Sequence, residues 1–207
     1  MESAFCDPGL KLIETFGWDG ARFVRLDRHR ARMAASAGAL GFPFDPAAFA
    51  AALPAAPGPA PLRLRLTLDR QGRFDLAAAA LAANPDRWRL AIAERPVRAG
   101  DPRLAHKTTD RALYDDARAG LADGIDELLF LNERDEAVEG TITNLFFDRG
   151  AGLRTPPRGS GCLPGCLRAE LLDEGAAREE VLLAADLPHV QLWMGNSLRG
   201  LIPAVLR

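Results

Sequence analysis

Seven residues, Leu62-Arg63-Leu64-Arg65-Leu66-Thr67-Leu68, alternate strictly between aliphatic and polar side chains. A pleated strand turns successive side chains to opposite faces, so this run predicts a half-buried strand and a sheet with one apolar face to cover. Asp69 to Gly72 reads as a turn and Phe74 to Leu81 as the returning strand, with Trp88 to Ala93 as a further one. Upstream, Leu10 to Phe16, the turn signal Trp18-Asp19-Gly20 and Arg22 to Leu26 read as a hairpin. Asp27 is then expected to cap a helix from Arg28 to about Leu40, stopped by Gly41 and Pro43, with His29, Met33 and Ser36 on one face. Arg32 lies beside that face, and from spacing alone it reads as a solvated helix charge. A second helix is expected from Asp45-Pro46 to before Pro54, followed by a stiff proline-rich loop over residues 54–61.

This pattern predicts a small N-terminal α/β lobe over residues 1–95 and a connection over 96–106 that contains Pro96, Gly100 and Pro102. Residues 107–207 then form a larger C-terminal lobe. Its expected elements are a helix from Asp110 to Leu121, strands at Glu127 to Asn132 and Ala137 to Phe147, a helix running from the Pro164-Gly165 turn to Glu174, and two strand-like pieces within Val190 to Val205. The Gly165-Cys166 turn reads either as an ordinary helix cap or as a set of backbone N–H groups suited to phosphate.

Composition narrows the functional classes. With 207 residues, 48% hydrophobic and 26% charged, the chain can bury a sizeable core, and a formal charge of −2 with dispersed arginines points to neither nucleic acid nor an anionic membrane. No apolar run is long enough to span a bilayer, and Met1-Glu2-Ser3 does not open a signal peptide. Three cysteines, an odd count, suit a reducing cytoplasm. Cys162 and Cys166 have no histidine or second cysteine pair nearby, so no metal site is expected.

Lysine and arginine together number 26, and only Lys11 and Lys107 are lysine. A lysine kept at residue 107 in an arginine-rich chain is either a solvated charge at a helix start or an amine that must lose its proton, as a Schiff-base lysine does.

Four segments in order decide between these readings: His29-x-x-Arg32 before Ser36-Ala37, Lys107 ahead of a helix, Glu139-Gly140-Thr141-Ile142-Thr143-Asn144, and Leu163-Pro164-Gly165-x-x-Arg168. Together they resemble the class IV aminotransferase family, the fold-type IV enzymes that use pyridoxal 5'-phosphate. The resemblance implies an α+β fold of the D-amino acid aminotransferase type, two small lobes with the cofactor between them, and a homodimer. His106-Lys107-Thr108-Thr109 with Arg111, and Asn196-Ser197-Leu198-Arg199-Gly200, are most similar to the aminodeoxychorismate lyase subgroup and the lyase-like domain of fused aminodeoxychorismate synthases.

On this resemblance Lys107 would bind the cofactor covalently and act as the catalytic base. Glu139 would face the pyridine nitrogen, and Arg32 would pair with the phosphate. The amides of Cys166 and Leu167 and the Ser197 hydroxyl, beside Asn196, would complete the phosphate cradle. Thr141 and Asn144 would position the ring or close the strand turn. Arg111 and Arg199 are the candidates for substrate carboxylates, with Arg111 four residues past Lys107 and expected to share a helical turn with it. The family's usual leading strand pair has no counterpart in Met1 to Gly9, so Thr15 is the nearest substitute for a hydroxyl that assists proton transfer. The implied reaction is elimination of pyruvate from 4-amino-4-deoxychorismate to give 4-aminobenzoate. The alternatives are an aminotransferase for D- or branched-chain amino acids and a protein that holds the cofactor without turnover.

Overall fold

The computed structural model describes residue 5, residues 7–55 and residues 57–207. Met1-Glu2-Ser3, the third cysteine (Cys6) and Ala56 of the proline-rich loop lie outside the described residues.

The alternating run is a strand, and its leucines make the core of the first unit. That unit comprises residues 1–83 and 106–110. Its elements are β1 (Leu12–Trp18), α1 (Leu26–Leu40), α2 (Pro46–Ala51), β2 (Leu62–Leu68) and β3 (Phe74–Ala80). The strands form an antiparallel sheet in the order β1-β2-β3, in register Leu12↔Leu68 and Leu62↔Ala80. Leu64, Leu66 and Leu68 are fully buried, packed with Leu12, Phe16 and Phe49 and with Met33 and Ala37 of α1. The opposite face carries Arg63 and Arg65, as alternation requires.

Two local expectations change. The second arm of the hairpin is reduced to one bridge, Trp18↔Phe23, with Val24 N–H donating to Gly17 O at 2.8 Å, because α1 already begins at Leu26. Asp27 therefore lies in the first helical turn. The cap position is Arg25 in left-handed conformation (φ 55°, ψ 30°), with no side-chain cap. The other helix ends are as expected. Gly41 (φ 70°) ends α1, and the Asp45 side chain accepts from Ala47 N–H at 2.8 Å to cap α2.

The second unit comprises residues 84–105 and 111–207. It contains β4 (Trp88–Ile92), α3 (Ala112–Ala119), β5 (Glu127–Leu131), β6 (Ala137–Gly140), β7 (Asn144–Asp148), β8 (Leu153–Thr155), α4 (Cys166–Asp173), β9 (Arg178–Glu179), β10 (Gln191–Asn196) and β11 (Gly200–Leu206). Strand order is β10-β11-β4-β5-β6-β7-β8-β9, and β10 also pairs along β7, so the sheet closes on itself. Closure leaves few exposed strand edges. Leu90, Leu129, Ala137, Leu145, Phe147 and Met194 fill its core. Trp88–Ile92 pairs in parallel with β5 and β11, so it belongs here and not with the first sheet. The expected boundary at residue 95 is thus replaced by one at residues 83/84, and Lys107 falls with the first unit.

The turn Thr141–Thr143 between β6 and β7 is built around the buried Glu127 at the start of β5. Its Oε1 accepts from Thr141 N–H (3.0 Å) and Thr141 Oγ1–H (2.5 Å), and its Oε2 from Thr143 Oγ1–H (3.1 Å). Gly140 admits this arrangement because a Cβ there would lie 2.5 Å from Thr143 Oγ1 and 2.8 Å from Met194 Cε. Gly140→Ala is expected to destabilise the protein by roughly 1–3 kcal/mol through overpacking. A lowered denaturation midpoint with an unchanged slope on the denaturant axis would confirm it, and an unshifted midpoint would refute it.

Candidate active site

In the first unit the segment containing Lys107 is fastened to the free edge of β1. Leu12 bridges Thr108, Ile13 N–H donates to Lys107 O at 2.8 Å, and Thr109 N–H donates to Lys11 O at 2.9 Å. Lys11 N–H donates to Thr109 Oγ1 at 3.0 Å, and His106 Nδ1 lies 3.0 Å from Ser36 Oγ on α1. The neighbours of Lys107 thus fix its backbone on both sides, and its side chain is half-buried. This segment is non-helical from Lys107 up to the helix start at Ala112, so Lys107 and Arg111 do not share a helical turn. Pairing with β1, and the Thr108 hydroxyl that accepts from Asp110 N–H at 3.2 Å, hold the chain out of the helix until that point.

Beside this segment sits a residue that motif reading passed over. Glu14 shares the β1 face of Leu12 and Phe16, so its side chain enters the core against α1. Arg32 donates to it through Nε at 2.8 Å and Nη2 at 2.5 Å, and His29 Nδ1 lies 2.5 Å from its Oε2. Burial pushes the Glu14 carboxyl up, but the Arg32 charge and the hydrogen bonds from His29 and Arg32 outweigh it and hold the carboxyl at about 2. His29 is moved below its ordinary 6.5, first by burial and further by the charges of Arg32 and Lys107, although Glu14 opposes the shift. It is therefore a neutral ring, and its Nδ1–H donates to the carboxylate. The charge of Lys107, carried on the same unit, acts in the same direction as that of Arg32. Arg32 is accordingly no solvated helix charge, since Glu14 grips one edge of its guanidinium and leaves the side chain 12% exposed. Thr15 points the other way, with Ile13 and Gly17, and its cross-strand partner is Arg65.

In the second unit Glu139 on β6 is 5% exposed and accepts from several donors. Tyr114 O–H donates to Oε1 at 2.8 Å, while Leu163 N–H (2.9 Å) and Asn144 Nδ2–H (3.3 Å) donate to Oε2. Asn144 also donates to Leu163 O at 2.9 Å, which links the β6–β7 turn to the loop before α4. Gly165 is the N-cap of α4 with no side-chain cap, and a Cβ on it would lie 1.8 Å from Asn144 Oδ1. The glycine here is a matter of space, since its φ of −67° suits any residue. Cys166 and Leu167 are buried in the first turn of α4. Arg168 turns away from that end, to Pro156 O at 2.9 Å and to Glu179. Cys162 is a structural thiol, pushed up to about 12 by burial and by the Glu139 charge.

The remaining candidates also lie in this unit. Thr141 gives its hydroxyl to Glu127, and Arg118 Nη1 donates to that hydroxyl at 3.2 Å. Asn196 closes the 197–199 turn, its Oδ1 accepting from Leu198 N–H (3.0 Å) and Arg199 N–H (2.9 Å), and its Nδ2 donates to Ile142 O. Ser197 is buried in that turn. Arg111 donates to Thr141 O at 2.8 Å and to Asp115 at 2.7 Å, and Arg199 donates to Asn84 Oδ1 at 2.9 Å. Both arginines are half-buried.

These groups fit pyridoxal phosphate chemistry. An amine suits an aldehyde, and a guanidinium in the same unit suits a phosphate dianion. A carboxylate oriented by Tyr114, Leu163 and Asn144 suits a protonated pyridine nitrogen, and a helix start with no side-chain cap suits phosphate.

The family model for amino-transferase class IV matches residues 11–206. Among solved structures, a Mesorhizobium loti protein provisionally described as an amino-acid aminotransferase is 44% identical, with 96% of this chain and 100% of that one covered and a TM-score of 0.88. The 4-amino-4-deoxychorismate lyase of Pseudomonas aeruginosa is 25% identical over 95% of this chain and 82% of its own, with a TM-score of 0.81. A hypothetical aminotransferase of Mycobacterium tuberculosis, in a form bound to pyridoxal phosphate, shares the fold at 18% identity, 97% and 82% coverage and a TM-score of 0.82. No curated protein matches the chain. Among the described residues, no helix is long and apolar enough to cross a membrane.

The Glu14 cluster sets an acid limit on stability. Depression of His29 below 6.5 means stability falls as pH drops below that value, and depression of Glu14 from 4.5 to about 2 means a second loss between those two values. Glu14→Gln should remove the second step and lower stability at neutral pH. Thermal melts across the acid range that keep the same low-pH slope in the variant would contradict this assignment.

Proposed function

The chain belongs to the class IV aminotransferase family, whose cofactor is pyridoxal 5'-phosphate, and from that premise we propose that it is a 4-amino-4-deoxychorismate lyase. The observation that carries this reading is the pair of half-buried arginines of the second unit, Arg111 braced by Thr141 O and Asp115, and Arg199 by Asn84 Oδ1. The substrate carries two carboxylates, one on the ring and one on the enolpyruvyl group, and two braced guanidinium groups match that demand. The sequences around His106-Lys107 and Asn196-Ser197-Leu198-Arg199 support the same subgroup.

When bound, the cofactor supplies an electron-withdrawing pyridinium ring in conjugation with the substrate amine. The residues of this chain then divide the work. Lys107 Nζ would hold the cofactor and would serve as the base that takes the proton from the carbon bearing the substrate amine. Glu139 would keep the ring nitrogen protonated, and Arg32, oriented by Glu14, would offer its charge to the phosphate. Arg111 and Arg199 orient the substrate so that the bond to the enolpyruvyl oxygen can break. Pyruvate leaves and 4-aminobenzoate remains, favoured by aromatisation. We assign the active form to a homodimer.

A second reading, amino group transfer to a keto acid, is favoured by the description of the Mesorhizobium loti relative. Lys107, Glu139 and Arg32 serve both reactions. The two separate in one assay: the lyase releases pyruvate from 4-amino-4-deoxychorismate with no keto acid added, and Lys107→Ala abolishes the release. Turnover that depends on an added keto acid would replace the lyase reading with the aminotransferase one.

A further inference from the structure

Tyr114 is the chain's one tyrosine, and no motif singled it out. It stands on α3, where its ring meets Phe130 edge-on (centroids 5.0 Å apart, planes at 72°) and lies 5.6 Å from the Arg111 guanidinium. The residue is half-buried, and its hydroxyl donates to Glu139 Oε1 at 2.8 Å. We propose that Tyr114 is a positioning residue for Glu139: its hydroxyl fixes the carboxylate and favours its ionised form, and so sets how firmly the pyridine nitrogen is held protonated. The proposal rests on the assigned role of Glu139 as the partner of that nitrogen.

Three arguments support it. A hydrogen bond donated to a carboxylate stabilises the charged form, and it does so more strongly where water is scarce. The phenol cannot compete for the charge, because burial and the Glu139 carboxylate raise it well above its ordinary 10.0, with Arg111 opposing and Cys162 adding to the rise. The donors on the other oxygen, Leu163 N–H and Asn144, come from the loop before α4 and from β7, so the helix contributes a constraint that these two do not duplicate.

Tyr114→Phe removes only the hydroxyl and keeps the ring against Phe130 and Arg111. Pyridoxal phosphate titrated into the apo protein should bind the variant roughly ten- to a hundredfold more weakly, the loss of one hydrogen bond to a charged group. The pH-dependent change of the bound cofactor band should also move to lower pH. Combined with Glu139→Gln, Tyr114→Phe should add nothing. Wild-type affinity and band position in Tyr114→Phe, or a full additional loss in the double variant, would overturn the proposal. The link itself can be read without cofactor, since tyrosinate absorbance reports this residue alone. Glu139→Gln should bring its ionisation to lower pH, and ionisation at the same pH in both proteins would refute the link. Failure of the wild-type protein to take up cofactor would overturn the role of Glu139 and the functional reading, while the tyrosinate titration would still decide whether Tyr114 and Glu139 are coupled.

Discussion

A carboxylate buried in a protein core has to be met by donors, and three such groups, Glu14, Glu127 and Glu139, organise the functional parts of this chain. Glu14 fixes Arg32 and His29 on α1 beside the segment that carries Lys107. Glu127 ties down the turn that separates Glu139 from Asn144, and Glu139 gathers α3, β7 and the loop before α4. Each costs desolvation energy, and each is compensated by hydrogen bonds that hold candidate site residues in place. The polar networks therefore define the site as much as the leucine and phenylalanine cores define the two units.

The glycines at Gly140 and Gly165 follow from the same constraint. Neither is required for backbone freedom. Each lies where a side chain of a carboxylate network closes in, Thr143 and Glu127 on Gly140 and Asn144 on Gly165. Two motifs that look separate in the sequence, Glu139 to Asn144 and Leu163 to Arg168, are thus one structure joined through Asn144.

What the sequence made legible depended on local pattern. Strict alternation in residues 62–68, proline after Asp45 and glycine at residue 41 each act within a few residues, and each forms the element expected of it. The cap of α1 was misplaced because Arg25, a residue seldom found with positive φ, supplies it by backbone geometry and leaves no side-chain signature. The assignment of Trp88–Ile92 to the first lobe failed because strand pairing is non-local, and a βα crossover joins it to β5. Glu14, Tyr114 and Glu127 escaped motif reading because their partners are distant in the chain. One signal was present: in β1, Leu12, Glu14, Phe16 and Trp18 share a face, and a single acid in an apolar register marks a buried charge that needs partners.

The central claim is that Lys107 is the amine that carries pyridoxal phosphate. Borohydride treatment of the protein loaded with cofactor, followed by peptide mapping, tests it most directly. The account predicts loss of the visible absorption band and a cofactor mass fixed on the peptide containing Lys107. Cofactor recovered on Lys11, or no covalent adduct although cofactor is bound, would contradict it.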